Sequence, residues 1–212
     1  MSEIVVQKFG GTSVGTVDRI DSVAEIIKNA SKLNKIVVVV SAMGGETNRL
    51  VDLAKAFGDD PDKREFDALV STGETVSSAL LTMALHSKGV KAKSFSASQI
   101  SMRTTSSYSK AKILDVDAKK ILDVVENDTI PIITGFQGVT EGGDVTTLGR
   151  GGSDTTAVAI AAQISAVRCD IYTDVDGIFT TDPSVVPNAK KLDSITMEEM
   201  LELAGQGAKV VQ

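Results

Sequence analysis

The sequence predicts an α/β protein with a mostly parallel sheet covered by helices on both faces. Short runs rich in β-branched residues alternate with stretches whose apolar residues recur at helical spacing. The runs are apolar throughout, as in strands buried on both sides, and alternation with helices favours parallel pairing. A small β-hairpin insertion is also expected, because Gly142, Gly143 and Asp144 supply a turn.

Five strands are predicted along the chain, at 4–6, 36–40, 90–95, 130–134 and 170–173. Helices are predicted between them from apolar residues at helical spacing, around 20–27, 80–85 and 118–125, with another opening at Asp154. Near the end, Thr196 and Glu199 form a capping box that predicts a further helix. The polar stretch 104–112 is the best candidate for a mobile loop, and one domain is expected to extend to Gln212.

Composition excludes several classes of function. The 212 residues carry 22 Lys and Arg against 28 Asp and Glu, and this net charge of −6 argues against general nucleic-acid binding. A single cysteine, Cys169, excludes an intramolecular disulfide and a cysteine-based zinc cluster. No apolar run approaches the roughly 20 residues of a membrane span, and no targeting signal is evident, so a cytoplasmic protein is expected.

Glycines follow the predicted strands. They form four clusters, at Gly10 and Gly11, at Gly44 and Gly45, at Gly135 and Gly138, and at Gly149, Gly151 and Gly152. Ligands of open α/β sheets bind outside the carboxyl ends of the strands, where glycines let backbone N–H groups approach an anion. Glycine also ends strands for structural reasons alone, but four clusters favour a phosphate-binding crevice. None matches the P-loop or the dinucleotide-binding pattern.

Three charged residues stand beside these clusters. Lys8 ends an apolar strand immediately before a glycine pair, so it is a candidate phosphate ligand, although a lysine at a strand end is usually just solvated. Asp154 follows a Gly-rich turn, where an acidic residue often serves only to stabilise a helix N-terminus. Arg150 could bind a carboxylate through its fork of donors, or could be solvated.

Two apparent motifs are rejected. Residues 11–15 match the G-x-S-x-G pattern of hydrolases, but the single histidine, His86, lies late in a predicted helix before most of the sheet. Residues 174–177 hint at a calcium loop, yet the third ligand and the closing Glu are absent.

Taken together, the motifs resemble those of the aspartate kinases, within the amino-acid kinase family. The matching segments follow in the expected order and are 8–13 (KFGGTS), 41–44 (SAMG), 71–74 (STGE), 135–138 (GFQG), 148–156 (LGRGGSDTT), 172–177 (YTDVDG), 182–183 (DP) and 207–209 (GAK). The first is shared more loosely with other amino-acid kinases, whereas the LGRGGSD string is highly specific. The resemblance covers essentially the whole chain.

This resemblance implies a three-layer αβα sandwich and transfer of the γ-phosphoryl group of MgATP to the side-chain carboxylate of L-aspartate. That reaction opens the biosynthesis of lysine, threonine and methionine. A carboxylate is already ionised, so the reaction needs no general base, in keeping with motifs that lack histidine. Charge neutralisation and in-line positioning must be supplied instead.

The resemblance also assigns roles to individual residues. Lys8 would be catalytic and Asp154 would orient it, while Gly10, Gly11 and Ser13 would donate to phosphoryl oxygens. L-aspartate would be bound by a polar and charged set that consists of Thr47, Glu74, Arg150, Gly151 and Ser153. ATP would be bound by Thr173, Asp174, Phe179, Asp182 and Lys209. ATP and Mg²⁺ are therefore the expected cofactors, with no metal bound by the protein alone.

Aspartate kinases normally continue beyond the GAK motif with a final helix and strands, and then with paired ACT regulatory domains. We therefore expect residues 1–212 to be a catalytic domain without its last elements and without ACT domains. Two alternatives stay open: a truncated nucleotide-binding regulatory subunit without activity, or a kinase for another small amino acid. L-aspartate and MgATP are the expected partners, without nucleic acid or membrane. Homo-oligomerisation is compatible with the resemblance.

Overall fold

The structure of the protein is a computed structural model. It describes residues 3–175, 177–181, 185, 186, 188–196, 198–200 and 202. The chain divides into two compact units, Met1–Tyr172 and Thr173–Gln212. The first contains the predicted αβα sandwich, and each unit is described by itself.

Five parallel strands form the central sheet of the first unit. They are β1 (Ile4–Phe9), β2 (Lys35–Val40), β3 (Ala92–Phe95), β6 (Ile130–Thr134) and β9 (Arg168–Tyr172). Their order in the sheet is β3-β6-β2-β1-β9. All five predicted strands are thus present. Because every strand runs in the same direction, their carboxyl ends meet at one edge of the sheet.

Helices cover both faces of this sheet. Helices α1 (Val17–Ala30) and α4 (Thr72–Ser87) contribute to one core, and α5 (Ala118–Glu126) and α6 (Gly152–Gln163) contribute to the other. Strand β2 serves both, since Val38 faces the first core while Val37 and Val39 face the second. A strand buried on both faces has no polar side, which accounts for the apolar runs and confirms the predicted fold class.

A second sheet contains the predicted hairpin. Strands β7 (Gln137–Val139) and β8 (Val145–Thr147) pair antiparallel across the expected turn. Two short strands that the sequence did not predict, β4 (Arg103–Thr104) and β5 (Ile113–Asp115), complete the order β5-β4-β7-β8. The stretch predicted as a mobile loop therefore lies between paired strands.

Two further helices precede α4, namely α2 (Glu46–Lys55) and α3 (Lys63–Val70). The stretch Lys63–Ser87, which includes α3 and α4, is long and apolar enough to cross a membrane by length and composition, and half of its apolar window is buried inside the protein. Burial of that kind is what a core helix shows. Leu81 and Leu85 of α4 are both fully buried in the core that α1 shares.

The second unit contains little regular structure among its described residues. Phe179 and Lys191 form an antiparallel bridge, extended by a hydrogen bond from Thr180 N to Lys190 O of 2.9 Å. The predicted capping box is present, since Glu199 N donates to Thr196 Oγ1 at 3.2 Å and Thr196 N donates to Glu199 Oε2 at 2.9 Å.

Replacing Gly138 by alanine should destabilise the protein. A Cβ there would lie 2.1 Å from Thr104 Cγ2 and 3.0 Å from Thr146 Oγ1, inside a buried pair of hydroxyls that are hydrogen-bonded at 2.6 Å. We expect Gly138→Ala to lower the free energy of unfolding by about 1–3 kcal/mol, as overpacking commonly does. Urea titration followed by circular dichroism measures this change.

Gly142→Ala is the matched control in the same hairpin, because its nearest contact would be Thr140 Oγ1 at 3.7 Å. Equal unfolding free energies for the two variants would contradict the packing described for the second sheet.

Candidate active site

The glycine clusters meet at the carboxyl ends of the central strands. A Cβ on Gly11, after β1, would lie 3.0 Å from Ala42 O and 3.8 Å from Gly44 Cα, after β2. A Cβ on Gly135, after β6, would lie 2.7 Å from Cβ of Ser153 in α6. These positions need glycine because larger residues would separate the loops, so the predicted crevice edge is a set of closely packed backbone turns.

Lys8 lies at the centre of this edge, with an exposed fraction of only 7%. Its Nζ atom is 2.8 Å from Asp154 Oδ1 in the first turn of α6. The contact is an ion pair rather than an aligned hydrogen bond, because Asp154 Oδ1 has no partner with hydrogen-bond geometry. The structure therefore places the two predicted catalytic residues together and holds a buried cation beside Gly10, whose Cβ would lie 3.5 Å from Lys8 Nζ.

Helices α2 and α6 begin at this edge without a side-chain cap. Their N-cap residues, Gly45 and Gly151, are left-handed at φ of 81° and 72°. By contrast, α1 and α5 are capped by the side chains of Thr16 and Asp117. An uncapped N-terminus leaves backbone N–H groups and the positive end of the helix dipole available to an anion.

Glu74 is a second buried ionisable residue, with an exposed fraction of 3%. It lies in the first turn of α4, where its Oε1 atom accepts a hydrogen bond of 3.1 Å from Ala42 N. Its Oε2 atom is buried without a partner. Burial raises the pKa of Glu74 from 4.5 to about 7, against the opposing effect of the Ala42 N–H group. An unpaired buried carboxylate oxygen is suited to receive a cationic group.

The other predicted substrate ligands are placed differently. Arg150 is exposed on the turn between β8 and α6, and Ser153 is buried against Gly135. Thr47 is half-buried in the first turn of α2, close in sequence to the N-cap residue Gly45. Ser13 belongs to the turn after β1, where its N–H donates to Gly10 O at 3.0 Å.

The predicted nucleotide ligands belong to the second unit. Thr173 and Asp174 are exposed, with Thr173 Oγ1 3.3 Å from Asp174 Oδ1, and Phe179 is half-buried in its bridge. Asp182 and Lys209 lie outside the described residues, so their predicted role stays a prediction.

One residue that supports the site had no role in the sequence-based prediction. Gln137 is buried, and its Nε2 atom donates to Ser71 O at 2.5 Å, at the junction of α3 and α4. Its Oε1 atom accepts a hydrogen bond of 2.8 Å from Thr134 Oγ1 in β6. It thereby ties the start of the helix that carries Glu74 to the sheet. The quoted GFQG segment contained Gln137, but nothing local signals such a contact.

The single histidine has a local partner. His86 lies near the end of α4, and its Nε2 atom is 2.8 Å from Ala92 O at the start of β3. Of the predicted calcium-loop residues 174–177, Asp176 lies outside the described residues. Among the residues the structure describes, no group of three or more His, Cys, Asp or Glu side chains is placed to hold a metal ion.

Comparison with known proteins now gives the family. The sequence profile of the amino acid kinase family matches residues 3–212. The chain belongs to the amino acid kinase family.

Several curated members of this family are similar to the chain. The aspartate kinase of Pseudomonas putida is 56% identical over 210 residues, which cover 99% of this chain and 51% of that protein. The aspartokinase of Geobacillus stearothermophilus is 54% identical over 209 residues, with coverages of 98% and 51%. The chain thus spans about half the length of the curated relatives it matches. The resemblance to aspartate kinases is confirmed.

Solved structures of aspartate kinases are also similar to the chain. Escherichia coli aspartokinase III in complex with aspartate and ADP superposes with a TM-score of 0.90 at 33% identity, covering 99% of this chain and 58% of that one. The aspartate kinase from Synechocystis gives a TM-score of 0.84 at 48% identity, with coverages of 98% and 35%. Isopentenyl phosphate kinase, at 18% identity and a TM-score of 0.71, shares the fold.

Glu74 should make folding stability depend on pH. Between pH 4.5 and about 7 the folded protein keeps a proton on Glu74 that the unfolded chain has released, so the contribution of Glu74 to the unfolding free energy should fall by about 1.4 kcal/mol per pH unit. Glu74→Gln removes this titration, and the variant should gain stability over the parent as pH rises through that window. Urea titrations at a series of pH values measure the difference.

Glu126→Gln, at an exposed position in α5, serves as the control. A constant difference between Glu74→Gln and the parent from pH 4.5 to 8 would contradict a raised pKa for Glu74.

Proposed function

We propose that the chain is the catalytic domain of an aspartate kinase, which transfers the γ-phosphoryl group of MgATP to the side-chain carboxylate of L-aspartate. The buried amine of Lys8, at the glycine-rich end of a parallel sheet, carries this proposal. A cation withdrawn from water interacts strongly with the charge that develops during phosphoryl transfer. The similarity to aspartate kinases at 56% identity supports the choice of acceptor.

In the proposed reaction, a carboxylate oxygen of aspartate attacks the γ-phosphorus. The bond from that phosphorus to the β–γ bridging oxygen breaks, and ADP leaves with the bond's electrons. The nucleophile is already ionised, so no side chain has to accept a proton. Lys8 Nζ would stabilise the transferred group, held in place by Asp154 at 2.8 Å. Gly11 would donate its N–H and Ser13 its hydroxyl to the oxygens of this group, whereas the N–H of Gly10 already donates to Tyr172 O at 3.1 Å, so Gly10 would contribute its close backbone approach.

The proposed substrate contacts follow from charge. The unpaired Oε2 atom of Glu74 would receive the ammonium group of aspartate, which also compensates the cost of burying that carboxylate. Arg150 would bind a carboxylate of the substrate, with Thr47, Gly151 and Ser153 as polar neighbours. An N-acylated amino acid has no ammonium group for Glu74, so it should be a poor substrate.

MgATP would enter as a substrate that brings its own metal ion, with Thr173, Asp174, Phe179, Asp182 and Lys209 as nucleotide contacts. We further propose that residues 1–212 belong to the catalytic domain, that the protein works in the cytoplasm, and that this domain is compatible with assembly into a homo-oligomer. The complex of Escherichia coli aspartokinase III with aspartate and ADP supports this set of ligands.

The proposed activity is tested by trapping the acyl phosphate. Incubation of the chain with MgATP, hydroxylamine and a panel of acids should yield hydroxamate with L-aspartate, and far less with L-glutamate or N-acetyl-L-glutamate. Colour formation with ferric chloride measures the product. If glutamate were the one acid turned over, it would replace L-aspartate as the proposed substrate. Nucleotide binding without turnover of any acid would favour a regulatory subunit.

Lys8→Ala should abolish turnover and leave the fold intact. Loss of one charge-stabilising group commonly costs about 10²- to 10³-fold in rate, and Lys8 would be the main such group for the phosphoryl oxygens. The hydroxamate assay measures the loss, and circular dichroism checks the fold.

Lys91→Ala, at an exposed lysine near strand β3, is the control and should retain full activity. Unchanged turnover in Lys8→Ala would remove Lys8 from its proposed role.

A further inference from the structure

Asp67 in α3 is a buried carboxylate that the proposed reaction does not use. Its exposed fraction is 0%, and each of its two oxygens accepts two hydrogen bonds. Oδ2 accepts from Ser109 N and Thr147 N, each at 2.8 Å, and Oδ1 accepts from Ser109 Oγ at 3.1 Å and Thr147 Oγ1 at 2.9 Å. The Asp67 carboxylate thus accepts hydrogen bonds from both the backbone N–H and the hydroxyl of two residues that are distant in sequence.

Both residues bound by Asp67 lie beside the turn that carries Arg150, Thr147 in sequence and Ser109 in space. Thr147 ends β8, two residues before Gly149. Ser109 O is 3.2 Å from where a Cβ on Gly149 would lie, and the φ of Gly149 is 80°, a value that favours glycine. Thr147 O also accepts a hydrogen bond of 2.9 Å from Ala111 N. The base of the turn is therefore enclosed between β8 and residues 109–111.

Asp67 also holds Ser109 in an unusual conformation. The φ of Ser109 is 65°, in the left-handed region that residues other than glycine rarely adopt. Both the N–H and the hydroxyl of Ser109 donate to Asp67, which compensates for this conformation. Without the carboxylate, the buried N–H of Thr147 and the half-buried N–H of Ser109 would lose their acceptor, and the segment would have to rearrange.

Helix α3 makes a second, exposed connection to the same region. Asp144 in the hairpin turn accepts from Arg64 Nε at 2.9 Å and from Tyr108 OH at 3.1 Å. Exposed ion pairs contribute little, whereas hydrogen bonds to a fully buried carboxylate are strong and directional. Asp67 is therefore the buried contact through which α3 fixes Ser109 and the end of β8.

We propose that Asp67 is a positioning residue for Arg150, and that it acts by fixing the two segments that flank the turn at Gly149. Asp67 is inaccessible to any ligand, so its effect on the reaction is indirect. The inference rests on the proposed function for the identity of the substrate, but its structural part is independent of that function. Displacement of a substrate-binding group by about 1 Å can cost roughly 100-fold in rate, so such support matters.

The test compares Asp67→Ala with Asp67→Asn in the full chain. Alanine removes all four acceptors. Asparagine can place its oxygen toward the two N–H groups and its NH₂ toward the two hydroxyls, which can rotate to accept. We expect Asp67→Ala to raise the KM for L-aspartate about 10-fold or more, with the KM for ATP changed less than about twofold. Asp67→Asn should restore a KM close to that of the parent.

Asp115→Ala is the control, because it breaks an exposed ion pair of 2.9 Å with Arg103 in the same sheet. It should leave both KM values unchanged. Equal rises in the KM for aspartate and ATP in Asp67→Ala, or failure of asparagine to rescue, would overturn the positioning role.

A readout without turnover separates this inference from the proposed function. Amide hydrogen exchange measured by NMR should be faster in Asp67→Ala at Ser109, at Thr147 and at Gly152, whose N–H donates to Gly149 O at 3.0 Å and closes the turn that carries Arg150. These amides should exchange at near parental rates in Asp67→Asn. Unchanged exchange at Gly152 in the alanine variant would overturn the inference even in an active enzyme. If the parent chain turns over no aspartate, the proposed function fails, while faster exchange would still uphold the link from Asp67 to the turn.

Discussion

Strand β1 has neither a free edge nor a free face, and this enclosure determines the geometry around Lys8. Its backbone pairs with β2 on one side and β9 on the other, so Lys8 lies in register between Val39 and Ile171. An amine at such a position loses most of its hydration and needs a compensating charge. Asp154 supplies it from α6, and the distance of 2.8 Å couples the strand to the helix.

The close approach of the loops follows from the same enclosure. If α6 is to bring Asp154 to Lys8, its N-terminus must lie against the turn after β6, where Gly135 leaves room for Ser153. The left-handed Gly151 then starts the helix without a side-chain cap. Cation, glycine turn and helix N-terminus are thus one arrangement rather than three separate features.

The two buried charges that face the proposed ligands differ in how they are satisfied. Lys8 has an internal partner, so its charged form is compensated in the protein itself. Glu74 has one hydrogen bond from Ala42 and an unpaired second oxygen, and burial raises its pKa. A site that leaves one charge uncompensated is selective for ligands that bring the opposite charge.

Much of the fold could be predicted because it rests on local patterns. Strands such as β2 are apolar at every position, and α1 and α5 repeat apolar residues at helical spacing, so burial is visible in the sequence. Helix α4 was less evident because Ser77, Ser78 and Thr82 are among its buried residues, each hydrogen-bonded to a backbone carbonyl. Strands β4 and β5 are only two and three residues long, too short for any periodicity.

The site was predictable in part for a related reason. Lys8 and Asp154 stand beside glycine clusters, and such clusters are local signals of a phosphate-binding edge. Asp67 has no such signal, because its partners Ser109 and Thr147 are 42 and 80 residues away. Contacts of that range depend on the assembled second sheet, and only a structure reveals them.

The pairing of β1 with β9 has a consequence for synthesis of the chain. Val5 pairs with Arg168, so β1 is synthesised well before the strand that covers its second edge. During that interval an apolar strand with open N–H and C=O groups can pair with other chains. The strand that carries Lys8 is therefore open to aggregation in the nascent protein, and early pairing of β1 with β2 covers one of its two edges.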